Sequence, residues 1–487
     1  MKQAASVKLS QKQNGHCSSK KCMKPLLAVL AAISVLLSVL LVSVSLKFSS
    51  HMQADNPSGV HPISKRQPRG PSMKFSKDIP AGILSQKPIS FFRRIQQAVD
   101  EDDPQQRCQR YGFQYSANNP HIPRRLFYGS LIAEEPWELM EIVAAEVYGI
   151  YAGMVLVESN RTQNYDPRPV RRAENPQHAE KLATMFGLES SQIKIQMYVN
   201  EKPKFTGIRR EHAQRQEILR GWKELGMTQE DVGVLADMDE TFSRDFLRAA
   251  QTCDIPNLDY RSHECYTSSV KIAASSRVYE TSPECMTAVR SWYHPEMVIG
   301  HCIEMIGNRS IHPLAYRDGP RRAPGYGRAC TRDFSKLTGK HPLWSASDFR
   351  QLCSKQVQLL DPKRSNNTGF HFHNFFTNFN ATRMKYFTYG HALKAKKVFS
   401  SSLQNIGNND LKLMYRCVRD LPDESDQKWK RVQGGLSASR LPIPIYFQDL
   451  DYCQRRHRWV QEQVRMDDDM VKVLQREWNK TATNKIV

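Results

Sequence analysis

The chain has 487 residues, 40 % of them hydrophobic and 9 % aromatic, enough to bury one large domain or two ordinary ones. Its formal net charge is +21, which raises the question of nucleic acid or an acidic surface. The excess is spread along the chain, with neither zinc-finger spacing nor a basic region leading into heptads, so nucleic-acid binding is set aside.

Lys2, Lys8, Lys12, Lys20, Lys21 and Lys24 open the chain without an acidic residue among them. Residues 26–46 follow, rich in Leu, Val and Ala and free of charge. At ~1.5 Å per residue such a helix spans the ~30 Å hydrocarbon core of a bilayer. The positive tail predicts a cytosolic segment, 1–25, a transmembrane anchor, 26–46, and lumenal placement of everything after Lys47. A cleaved signal peptide is the other reading, but the apolar run is long for one and no small-x-small cleavage site follows closely. Residues 47–107 are rich in Pro, Ser, Gly and charge and predict a flexible stem, with one short helix at 91–99.

A lumenal address agrees with two further features. Nine cysteines follow the anchor, namely Cys108, Cys253, Cys265, Cys285, Cys302, Cys330, Cys353, Cys417 and Cys453; most should pair in an oxidising lumen, and the odd count leaves one over. Sequons begin at Asn160, Asn308, Asn366, Asn380 and Asn479.

Residues 108–455 are expected to form the lumenal domain, and 456–487 a charged, peripheral helical tail. Strands are predicted at 125–132, 153–158, 193–199 and 232–236, with helices at 134–147, 178–186 and 211–225 between them. This alternation predicts an α/β fold with a parallel sheet. Ligands of such sheets bind beyond the carboxyl ends of the strands. Two of the apolar runs end in polar, acidic clusters there: Glu158-Ser-Asn160 and Asp237-Met-Asp239-Glu240. Past residue 254 the pattern weakens; 310–345 predicts a long loop, and the aromatic stretch 370–379 a strand with its turn.

Asp237-x-Asp239 is the sharpest element. In extended backbone, residues i and i+2 point the same way, so both carboxylates can share one divalent cation. Oxygen ligands suit Mn²⁺ or Mg²⁺, which can neutralise a diphosphate. The same spacing at Asp449-x-Asp451 and Asp467-x-Asp469 follows no buried strand, and an ordinary acidic turn is the bland reading at Asp237. Glu158 can accept a hydrogen bond from a ribose or a base. Asn160 is either a donor-site residue or a glycosylation site; the two exclude each other. His371-Phe-His373 can chelate a metal with both rings, or His371 alone can complete a carboxylate site; a structural histidine is the alternative, as at His391. Arg210, Arg215 and Lys385 are candidates for holding phosphates.

Taken together, Val157-Glu-Ser-Asn-Arg-Thr162, Arg210-Glu-His-Ala-Gln-Arg215, Asp237-Met-Asp-Glu240 and Gly369-Phe-His371 resemble glycosyltransferase family 17. Glu138-Leu-Met-Glu-Ile142 is similar to that family's opening helix, and Lys385 with Tyr389-Gly-His391 to a downstream segment. The resemblance implies a GT-A-type, Rossmann-like mixed sheet flanked by helices, with UDP-GlcNAc as donor and Mn²⁺ as cofactor. It implies inverting β-1,4 transfer of GlcNAc to a mannose of an N-glycan, as in bisecting transfer, by a type II Golgi membrane protein. Departures are Thr241-Phe242 in place of Ile-Pro, Phe370 in place of Trp, and Thr162-Gln-Asn-Tyr165 in place of Thr-Phe-Thr-Gly. An inverting transfer also needs a carboxylate to take the acceptor's proton. Glu304 and Asp348 are candidates by their place between the metal motif and His371. Two other readings stay open: a catalytically inactive glycan-binding protein, and a transferase for another sugar or acceptor.

Overall fold

The computed structural model describes residues 82–115, 123–163, 165, 167–168, 172–201, 207–259, 271–287, 292, 294–307, 343, 345–346, 368–377, 381, 429–431 and 442–483. All belong to one compact unit, Phe75–Val487. The expected anchor at 26–46, the stem up to residue 81, Asp348, Lys385 and His391 lie outside the described residues. Among the described residues no helix is long and apolar enough to cross a membrane.

Two helices, α1 (Ile89–Asp100) and α2 (Pro104–Arg110), and a short strand β1 (Gln114–Tyr115) precede the central sheet. The expected stem at 47–107 therefore ends earlier than composition suggested. Asp100 is bound by Arg244 and Arg248, and Gln96 Nε2 donates to the Ala145 carbonyl at 2.7 Å. A disulfide, Cys108–Cys253, closes the seam.

The central unit then alternates: β2 (Leu126–Leu131), α3 (Trp137–Val147), β3 (Gly153–Ser159), α4 (Pro176–Phe186), β4 (Ile193–Tyr198), α5 (Ile208–Glu224) and β5 (Val232–Asp237). β3 is buried at every position and β2 at all but its last, which is why their apolar runs are nearly continuous, as strands covered on both faces require. β4, β3, β2 and β5 lie in that order and are parallel. A Cβ at Gly129 would overlap Ile218, so glycine lets α5 seat on the sheet. Trp222 anchors it, buried and donating Nε1 to the Tyr128 carbonyl at 2.8 Å. That seating aims the first half of α5, with Arg210 and Arg215, at the carboxyl ends of the strands.

After β5 a two-residue turn, Met238–Asp239, leads into β6 (Glu240–Phe242), then α6 (Arg244–Thr252) and β7 (Cys253–Asp254), which pairs with β1. β8 (Lys271–Ala273), β9 (Ser276–Glu280), β10 (Cys285–Thr287), β11 (Glu296–Ile299), β12 (Gly369–His373) and β13 (Trp429–Arg431) follow. β11 runs antiparallel beside β5, and β8 antiparallel beside β11, so the sheet is mixed rather than wholly parallel. β6 instead joins a second sheet, ordered β13-β10-β9-β12-β6, in which β12 runs parallel to β9 and antiparallel to β6. The chain thus passes from one sheet to the other at Met238–Asp239.

The last helix, α7 (Leu450–Thr483), is not peripheral at its start. Tyr452, Arg456 and His457 are buried. Arg456 donates to Glu138 of α3 and to the carbonyls of Thr281 and Phe376, which follow β9 and β12. Asp449 caps α7, accepting from Tyr452 N at 3.2 Å and Ser85 Oγ at 2.6 Å, so its Asp-x-Asp spacing serves a helix end.

Candidate functional site

Three side chains converge where the two sheets exchange the chain. Asp239 sits in the turn, Glu240 opens β6, and His371 lies opposite Glu240 in the β6–β12 register. One ligand atom from each lies within 4.8 Å of the others. His371 Nε2 and Asp239 Oδ2 are 3.6 Å apart, and Phe372 N donates to the Asp239 carbonyl at 2.7 Å, which pins the turn to β12.

Trp292 holds the cluster together. Its ring stacks on His371 with centroids 4.7 Å apart, and its Nε1 donates to Glu240 Oε1 at 2.7 Å. The other Glu240 oxygen accepts from Asp237 N at 3.1 Å. Glu240 is fully buried, so it is positioned to orient the turn as well as to offer an oxygen. Beside Trp292, His294 contacts the buried Glu296, whose Oε1 also lies 3.4 Å from Lys271 Nζ.

Asp237 stands differently from expectation. Its Oδ1 is bound by Arg215 of α5, which also donates to Glu211 Oε1 at 3.1 Å and to the Ala236 carbonyl at 3.4 Å. The same-side rule for i and i+2 presupposes extended backbone, and the turn at Met238–Asp239 interrupts it. Glu240, three residues on, takes the place beside Asp239 that spacing alone gave to Asp237.

The two histidines of β12 share a face, with ring centroids 5.1 Å apart, while Phe370 and Phe372 turn into the core. His373 Nδ1 lies 2.7 Å from Glu280 Oε2, and Asn374 donates to the other oxygen at 2.6 Å. Of the two readings of His-x-His, this favours His371 as the single imidazole facing the carboxylates.

The ends of β3 and β4 gather the next group. Glu158 is fully buried; Ala173 N donates to its Oε2 at 2.7 Å, and its Oε1 has no hydrogen-bond partner among the described residues. Burial pushes its carboxyl up to about 7, against the opposing pull of the Ala173 N–H and of Arg168 and Arg172. Arg210 donates to the Asn200 carbonyl at 2.8 Å, to Ser159 Oγ at 3.1 Å and to Asn160 Oδ1 at 3.4 Å. Asn160 Nδ2 in turn donates to Glu201 Oε1 at 2.6 Å. Arg210 and Asn160 therefore knit the β3 and β4 ends together. Glu304 Oε2 accepts from Gln216 Nε2 of α5, the residue after Arg215, at 3.0 Å.

This geometry meets an independent finding. Residues 83–296 match the model of glycosyltransferase family 17. The resemblance read from the sequence is thereby shown over that span, from the segment ahead of α1 to the first residue of β11. The match supports a glycosyltransferase, a class that uses a nucleotide sugar as donor and a glycan as acceptor. His371 lies beyond the matched residues, so its place in the site rests on the contacts above. No curated protein matches the chain.

The resemblance read from the sequence implies a divalent cation, and the donor set can be tested against one. Ligands ~2.1 Å from a common ion at roughly right angles lie ~3 Å apart, and somewhat more at wider angles. The 3.6 Å between His371 Nε2 and Asp239 Oδ2 is of that order, and slightly long for a direct hydrogen bond. Carboxylate oxygen with one imidazole is a set that Mn²⁺ accepts. The residues fit. Sequence reading missed Glu240 as a member and Trp292 altogether; Glu240 was signalled by its place directly after Asp239, whereas nothing local marks Trp292.

Proposed function

We propose that the chain is a metal-dependent, inverting transferase that moves GlcNAc from UDP-GlcNAc to a mannose of an N-glycan. The observation that supports this reading is the Asp239–Glu240–His371 cluster at the carboxyl end of β5, within a chain that carries the family match. The domain is read as GT-A-type, set in the Golgi lumen behind the apolar segment 26–46.

Asp239 and His371 would hold Mn²⁺ or Mg²⁺, with Glu240 and Trp292 fixing their approach. Bound there, the ion supplies positive charge against the donor diphosphate. Arg215, buried against the turn, adds a second fixed positive charge on the same side. Glu158, at the end of β3, is proposed to face the nucleoside, where a carboxyl near neutrality can donate as well as accept. Asn160 and Arg210 shape the neighbouring loop ends, and Lys385 is proposed for the phosphates. Glu304 and Asp348 are the carboxylates proposed to take the acceptor's proton.

A donor screen on the purified full-length chain, with and without Mn²⁺, tests the reading. UDP-GlcNAc should be turned over onto an N-glycan acceptor only with the cation. Turnover of another nucleotide sugar would move the assignment to a different transferase. Absence of donor turnover and of metal-dependent binding alike would favour a glycan-binding protein.

A further inference from the structure

A cavity of about 590 Å³ opens among the helices. Its walls come from α1, α3, α4 and the segment leading into α7. Such a volume suits a small ligand, with an apolar lining and a few polar groups that fix orientation.

Lys87, Arg93 and Lys181 line it; Lys87 pairs with Asp451, whereas among the described residues Arg93 and Lys181 make no ion pair with a carboxylate, Lys181 acting on Glu141 only from farther off. Arg93 lies over the ring of Tyr148 and donates to Gln96 Oε1 at 2.9 Å. Lys181 lies 3.8 Å from the ring centroid of Trp137. Burial lowers the Arg93 pKa, so its charge is incompletely solvated. Phe92 and Tyr446, stacked at 5.2 Å, form an aromatic wall, and the side chains of Gln177 and Thr184 supply neutral polar groups. Glu141 and Glu180 also line the space; burial raises the Glu141 carboxyl toward its neutral form.

We propose that this cavity is a binding site for a sugar bearing a single carboxylate, with Arg93 and Lys181 taking the acid and the aromatic wall taking the ring. The guanidinium fork matches a carboxylate in shape and charge. Two acids in the wall oppose a polyanion but tolerate one negative charge placed at the cations. An acidic peptide needs an extended groove with a row of unpaired cations, and these walls offer two cations without a paired acid. The proposal does not rest on the transfer chemistry.

The test uses the full-length chain in detergent, with 3′-sialyllactose as probe and lactose as its neutral counterpart, read by saturation-transfer NMR and calorimetry. Sialyllactose should bind with a Kd of about 1 mM or tighter, and lactose at least about tenfold more weakly. Arg93→Gln, and separately Lys181→Gln on an exposed turn of α4, should each weaken sialyllactose at least about threefold while UDP and Mn²⁺ binding stay at wild-type strength. Equal binding of the two sugars, no binding to the wild type, sialyllactose affinity unmoved in both variants, or tighter binding of an aspartate-rich peptide would each overturn the proposal. Loss of donor turnover with sialyllactose binding intact would count against the transferase reading alone.

Discussion

Asp239 and His371 come from distant parts of the sequence, yet their facing atoms lie 3.6 Å apart because β6 and β12 are hydrogen-bonded neighbours. Neither residue is placed by its own segment alone. The turn that carries Asp239 is fixed by Phe372 N, and the ring of His371 by Trp292.

The first prediction separates the two aspartates. Asp239→Ala and His371→Ala should each weaken Mn²⁺ binding at least about tenfold and remove about a thousandfold or more in transfer rate, ~4 kcal/mol of barrier. Asp237→Ala should weaken Mn²⁺ less than about threefold, since that carboxylate is engaged by Arg215, which keeps Glu211 as a partner. Calorimetric Mn²⁺ titration of the three variants decides it. A larger loss in Asp237→Ala than in Asp239→Ala would restore the i, i+2 pair and remove Glu240 from the site.

The second prediction concerns the sequon at Asn160. Its amide nitrogen donates to Glu201 and its oxygen accepts from Arg210, while Thr162 is buried. A glycan on Nδ2 would displace the Glu201 contact and loosen the β3 and β4 ends. Asn160 is expected to be unmodified in the folded protein from a secretory host. Peptide mapping after enzymatic deglycosylation in ¹⁸O water checks it, and heavy-oxygen conversion to aspartate at that position would refute it.

What could be read from the sequence follows physical lines. β2 to β5 and their helices were legible because each is long enough to show its period and each helix buries one face against the sheet. β6 and β8 to β11 were not: they run three to five residues, and buried Glu240, Lys271 and Glu296 interrupt their apolar pattern. Asp239 and His371 could be picked out from residue type and neighbourhood. That Glu240 lies within reach of both Asp239 and His371 could not, since it depends on a turn of two residues. Trp292 acts through stacking and one long-range hydrogen bond, which leave no periodic trace.

The third prediction is a pH dependence. Glu158 has its carboxyl raised to about 7 in the fold, against about 4.5 when exposed. Below about 4.5 it is protonated in both states, and its neutral form stabilises the fold fully relative to an ionised one. Between about 4.5 and 7 the unfolded chain releases the proton first, so stability falls as pH rises, by at most ~1.4 kcal/mol per unit. Above about 7 the contribution is gone. Glu158→Gln, which stays neutral throughout, should therefore reduce the slope of urea-unfolding stability over that window, the part that Glu146 contributes remaining. An unchanged slope in the variant would show that the carboxyl titrates at its ordinary value.

The fourth prediction follows from the anchoring of α7. Arg456 is 1 % exposed and Glu138 is fully buried, so their 2.8 Å ion pair exists in a weakly polar interior. The remaining guanidinium nitrogens serve the carbonyls of Thr281 and Phe376, at 3.2 Å and 3.1 Å. Removing the arginine alone strands a buried carboxylate and two carbonyls, which should cost about 3–5 kcal/mol. Removing both charges should cost less than the sum, because Glu138→Gln in the same chain has no charge left uncompensated. A cycle of Arg456→Met, Glu138→Gln and the double variant, followed by urea unfolding, measures the coupling, expected at ~1–3 kcal/mol. The two carbonyls close the strands that carry Glu280 and His371, so a folded Arg456→Met should also bind Mn²⁺ more weakly, while Glu138→Gln should leave that affinity in place. Strict additivity in stability, or identical Mn²⁺ affinity in Arg456→Met and wild type, would reduce α7 to a helix packed beside the site without bearing on it.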